Sequence, residues 1–101
     1  MFGTKTKTLT SSGAVTTKVS AGTKTLSAPA RVTSLQAVCS GTAGSIILKD
    51  DGTSGTALVE FATPALATAT VSFDFAEMGL RFPTDCFATL SNVTSVTVLY
   101  A

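Results

Sequence analysis

The chain has 101 residues, of which 45% are hydrophobic and 13% charged, with a net charge of +1 and neither histidine nor tryptophan. That length suits one domain with a core of its own. The absence of histidine excludes imidazole bases, Ser-His and Cys-His nucleophile pairs and histidine metal ligands, which removes the commonest hydrolytic and zinc arrangements. The small net charge is unevenly divided. Lys5, Lys7, Lys18 and Lys24 precede residue 31 with no acid among them, which gives +4. From there Arg31, Lys49 and Arg81 face Asp50, Asp51, Glu60, Asp74, Glu77 and Asp85, which gives −3. A basic segment on a mildly acidic body suits contacts in which one subunit's arm lies on an acidic neighbour. Four spaced lysines without an arginine make a weak phosphate-binding signature, so protein rather than nucleic acid is the expected partner.

Residues 1–30 are expected to form an extended Thr/Ser/Lys-rich arm. Within it Thr6-Lys7-Thr8-Leu9-Thr10 recurs as Thr23-Lys24-Thr25-Leu26-Ser27. Both copies are β-prone through threonine but lack an apolar face, so they need a sheet edge or another surface to pair with. Lys5, Lys7, Leu9, Lys18, Lys24 and Leu26 are the expected partner-binding residues of this arm. Glycines at 13 and 22 interrupt it, and Ala28-Pro29-Ala30 ends it as a linker. No charged and then apolar leader opens the chain, and no stretch reaches the length of a membrane span, so no membrane partner is expected.

Residues 31–101 are expected to be the domain, with strand signals about ten residues apart as in a sandwich or barrel. The first covers residues 31–40, with Leu35, Ala37 and Cys39 inward. After the turn at Gly41-Thr42-Ala43-Gly44, residues 45–50 carry Ile46, Ile47 and Leu48. Asp51-Gly52 is the plainest turn, because this pair tolerates the positive φ that joins antiparallel strands. Residues 56–62 follow with Leu58, Val59 and Phe61, and then a loop around Pro64. Residues 70–75 alternate Val71, Phe73 and Phe75 inward with Ser72 and Asp74 outward. Leu80 and Phe82 make a brief strand stopped by Pro83. Residues 86–91 and 93–100, joined at Asn92, complete the series, the last placing Val96, Val98 and Tyr100 on one face. No segment keeps a 3.6-residue apolar period, so the expected fold class is all-β, a small antiparallel β-sandwich of jelly-roll type. A body of this size is marginal alone, and a mean hydropathy of +0.43 agrees with a surface partly hidden against neighbours.

Two cysteines are too few for the stapled framework of a small secreted domain. Cys39 and Cys86 both fall on apolar faces and are expected to be reduced core thiols. Asp50-Asp51 lacks the spaced ligands and closing glutamate of a calcium loop, and no glycine pair leads into a phosphate loop. No catalytic, cofactor or metal residue is assigned, and no enzyme activity is expected.

The strings Gly41-Thr42-Ala43-Gly44-Ser45-Ile46-Ile47-Leu48-Lys49-Asp50-Asp51-Gly52, Gly55-Thr56-Ala57-Leu58, Thr63-Pro64 and Gly79-Leu80-Arg81-Phe82, with Thr84-Asp85 and Asn92-Val93-Thr94-Ser95-Val96-Thr97-Val98, carry a resemblance. Together they resemble the small β-rich virion proteins of tailed bacteriophages, of the head decoration or cement type. The resemblance covers nearly all of residues 31–101 and excludes the arm. It implies a structural protein on the capsid exterior, assembled in the host cytoplasm, bound to the major capsid protein and to itself as a homotrimer. The alternative is a tail or fibre module that contacts a host receptor.

Overall fold

The computed structural model describes residues 5–16, 19–21, 24–26, 30–52, 54–67, 69–75 and 79–101. The described residues form eleven strands and two main antiparallel sheets. The strands are β1 (Lys5–Leu9), β2 (Gly13–Ala14), β3 (Val19–Ala21), β4 (Lys24–Leu26), β5 (Ala30–Cys39), β6 (Gly44–Asp50), β7 (Thr56–Thr63), β8 (Thr70–Asp74), β9 (Leu80–Phe82), β10 (Cys86–Ser91) and β11 (Val93–Tyr100). One sheet runs β1-β11-β5-β8, with β9 also on β5, and the other runs β2-β10-β6-β7. The fold is a small antiparallel β-sandwich, as the alternating apolar positions lead one to expect.

The core lies between the two sheets. Val32, Leu35, Ala37, Val96, Val98 and Phe82 enter it from the five-stranded sheet, and Ile46, Leu48, Cys86 and Ala88 enter it from the four-stranded one, all essentially without solvent exposure. Burying each of the larger aliphatic or aromatic side chains contributes ~1.5–3 kcal/mol. Cys39 and Cys86 are both buried and free of any disulfide, as expected of small core hydrophobes.

Two residues expected to point inward differ in degree. Phe73 and Phe75 are half-buried, because β8 lies at a sheet edge and packs against β7, the edge of the opposite sheet. Phe61 and Phe73 stack there, their ring centroids 4.2 Å apart and their planes at 24°, so aromatic rings close this side of the sandwich. On β7, Leu58 is 40% exposed. The register between β6 and β7 slips there: Leu48 faces Val59 but Lys49 faces Ala57, which leaves Leu58 as the extra residue of a bulge.

The opposite side is closed by residues 5–16. β1 pairs with β11 from Lys5 opposite Tyr100 to Leu9 opposite Val96. The chain then crosses to the other sheet, where the Leu90 N–H donates to Ser12 Oγ (2.8 Å), the Val15 N–H donates to the Cys86 carbonyl (2.8 Å) and the Cys86 N–H donates to Thr16 Oγ1 (2.9 Å). Val15 is 6% exposed, in the core. Residues 5–16 thus pair with both sheets of the body expected to begin at residue 31. The sheet edge that the Thr-Lys-Thr segment needs is the chain's own β11, and Leu9 and Val15 supply its apolar anchors. The second copy of the repeat forms β4, which pairs with β3 in a separate two-stranded sheet.

Between β10 and β11 a single residue, Asn92, turns the chain from one sheet to the other with φ of 53°. The corner is packed tightly: a Cβ on Gly44 would lie 2.0 Å from the Ser91 carbonyl oxygen, so only glycine fits beneath it.

Candidate interaction surface

The partner-binding residues expected on the arm do not converge. Lys5, Lys7 and Leu9 stand on β1 and Lys24 and Leu26 on β4, in separate sheets. Lys18 and the linker at residues 28–29 lie outside the described residues, as does Glu77. Leu9 is half-buried against the core, whereas Lys5 and Lys7 are exposed. All three share the register of Tyr100, Val98 and Val96, so the two lysines occupy inward-facing positions on an edge strand. Charges placed this way discourage indiscriminate edge-to-edge pairing.

The opposite parity of the same strands builds a surface of another kind. Thr8, Thr97, Gln36 and Ser72 stand side by side across β1, β11, β5 and β8. Thr6, Leu99, Ser34 and Asp74 form the next row, and Ser95, Val38 and Thr70 a third on β11, β5 and β8. The Thr8 and Thr97 hydroxyls lie 3.1 Å apart and share a hydrogen bond. With strands about 4.8 Å apart and about 3.4 Å between residues, the patch measures about 14 Å by 14 Å. Asp74 is the one ionisable residue in these rows. Serine and threonine lose little rotamer freedom on burial, and a face with few ions loses little solvation when covered. The hydroxyl rows were missed in the sequence, although Ser72 and Asp74 were read as outward; the alternation was visible strand by strand, but not which strands lie beside one another.

The acidic turn is a structural clamp. Asp50 Oδ1 accepts the Thr84 N–H (2.8 Å) and the Asp85 N–H (3.3 Å), while Asp85 Oδ1 accepts the Gly52 N–H (3.0 Å), so the turns at 51–52 and 83–85 hold each other. Asp51 and Gly52 both have positive φ, 74° and 78°, as the Asp-Gly pair suggests. Burial, with the nearby Asp85 and Asp50 carboxylates adding to it, pushes the Cys86 thiol up to about 12, so it is inert as a nucleophile at neutral pH. Among the described residues no group of three or more potential metal ligands is assembled, and no helix is long and apolar enough to cross a membrane.

Compared with family models, curated proteins and solved structures, the chain has no match.

Proposed function

We propose that this protein is a structural subunit of a tailed-phage virion that decorates the capsid exterior and cements neighbouring copies of the major capsid protein. The observation that carries the reading is the nearly uncharged hydroxyl-rich face on β1, β11, β5 and β8, which ends at the β1 edge. Such a face docks on a protein surface at little cost in side-chain entropy or ion desolvation. Its area is well below the ~800 Å² per partner of a stable pairwise interface, so attachment draws on several copies at once, as a homotrimer on a repeating lattice provides.

The test is cryo-electron microscopy of particles incubated with the parent protein or with Gln36→Arg, which sets a bulky cation in the middle row. The parent gives regular density on the capsid exterior, and the variant, folded by circular dichroism, leaves the particles bare. Equal decoration by both proteins, or density confined to the tail, would falsify the proposal.

A further inference from the structure

The five-stranded sheet ends on two strands of equal length, β1 at one side and β8 at the other, each five residues long and neither paired along its outer edge among the described residues. Their charges are of opposite sign. β1 carries Lys5 and Lys7 and no acid, whereas β8 carries Asp74 and the edge strand facing it, β7, carries Glu60, with no base on either. All four side chains are exposed. Arg81 stands farther along the β8 side, on β9, about 10 Å down β5 from the position of Asp74 and beyond the end of a five-residue strand laid on β8. The β8 side is also the more apolar one. Leu58 and Leu66, the large hydrophobic side chains exposed among the described residues, at 40% and 58%, lie on β7 and on the loop that leaves it.

The two edges also fit each other in direction and in parity. β1, β11, β5 and β8 alternate in direction, so β1 and β8 run opposite ways. A second copy set beside the first in the same orientation therefore brings its β8 antiparallel to β1. Residues opposed across an antiparallel pair share a face, so the inner Leu9 and Lys7 must meet Val71 and Phe73, and the outer Thr6 and Thr8 must meet Asp74 and Ser72. One register does all of this and keeps the rows level: Thr8 opposite Ser72, Thr6 opposite Asp74, Leu9 opposite Val71 and Lys7 opposite Phe73. The row of Thr8, Thr97, Gln36 and Ser72 then runs on into the next copy without a step, and the Lys7 stem covers the half-buried Phe73 ring. The same charges disfavour the alternatives. β1 against β1 sets lysines together, and β8 against β8 gathers the Asp74 and Glu60 carboxylates of two copies.

We propose that copies of this chain join side to side, β1 of one copy adding to β8 of the next as an antiparallel extension of the five-stranded sheet. The contact is heterologous, so it repeats from copy to copy until a ring closes. The lysines and carboxylates give each side its sign and so select the partner edge, while backbone hydrogen bonds and apolar cover hold it. The inference supplies the self-association that the proposed function draws on, but it rests on the edges alone and is tested without particles, so either can fail without the other.

The test is oxidative cross-linking of the full chain carrying Thr8→Cys and Ser72→Cys. Within one copy these positions lie at opposite edges of the sheet, about 14 Å apart and well beyond the ~7 Å that a disulfide spans between Cα atoms. Cys39 and Cys86 are buried, so the new disulfides join separate chains. Covalent oligomers larger than a dimer are expected, with loss of that product when Lys7→Cys replaces Thr8→Cys, because Lys7 and Ser72 face opposite ways. Sedimentation velocity supplies the second arm. Lys5→Glu/Lys7→Glu and Glu60→Lys/Asp74→Lys should each sediment as a 10.2 kDa monomer, since each gives both of its sides one sign, and their equimolar mixture should sediment as the parent assembly does. Cross-links that stop at the dimer or ignore parity, a mixture that stays monomeric, or a parent that is monomeric at every concentration overturns the proposal. The parent's sedimentation decides the matter even if a variant folds poorly.

Discussion

Thr63 ends the inner face of β7 with its hydroxyl oxygen buried and no hydrogen-bond partner among the described residues. Such an oxygen costs more to bury than a methyl group of the same size. Thr63→Val should raise stability by about 1 kcal/mol in a urea titration, and a lowered midpoint would mean that the oxygen has a partner after all. Cys86 gives a pH signature. Its folded value is raised to about 12, whereas an unfolded thiol ionises near ~8.5. Below ~8.5 both states hold the proton; above it the unfolded chain releases its proton first, so stability falls as pH rises, by up to about 1.4 kcal/mol per unit, until the folded thiol ionises. Cys86→Ala should remove that part of the decline, which paired melts of parent and variant from neutral to alkaline pH will reveal. At this scale the buried positions Leu35, Ala37, Cys39, Val96 and Val98 were legible from alternation alone. The partial exposure of Phe73 and the bulge at Leu58 were not, since an edge location and a register slip are both set by pairing with distant strands.

Among the elements, β5 to β11 follow from turn chemistry and alternation, because glycine, proline, Asp-Gly and, between β10 and β11, Asn92 punctuate the series. β1 and β2 were hidden. A strand of lysines and threonines with one leucine has no apolar face to betray it, and its partner β11 lies roughly eighty residues away. Removing residues 1–9 should leave a folded protein that is about 1–2 kcal/mol less stable, through loss of Leu9 burial, and that self-associates along the uncovered β11 edge. Light scattering and thermal melts test both outcomes. Removing residues 1–16 takes Val15 as well and should abolish cooperative unfolding. Val15→Ala in the full chain should cost about 2 kcal/mol. If the protein without residues 1–16 melted like the parent, the segment would be an appendage and the strand pairing incorrect.

For the whole molecule, the proposed attachment through a nearly uncharged face has a consequence for salt. Contacts among hydroxyl groups and backbone are not screened, whereas exposed ion pairs each contribute only ~0–1 kcal/mol and fade with ionic strength. Decoration should therefore weaken by less than about tenfold between ~50 mM and ~500 mM sodium chloride, and replacing Lys5 and Lys7 by glutamine should change it no more than that; quantitative sedimentation with particles measures both. The place of β11 sets a timetable as well. β11 is hydrogen-bonded to β1 on one side and β5 on the other, so it is the strand that joins the halves of the five-stranded sheet. At ~5–20 residues per second, the ribosome takes about 4–17 s to go from β1 to β11. Throughout that interval the hydroxyl rows lack the strand that places Thr8 beside Thr97 and Thr97 beside Gln36. A nascent chain has not yet assembled these rows, so under the proposed function only a finished one could take its place on a particle.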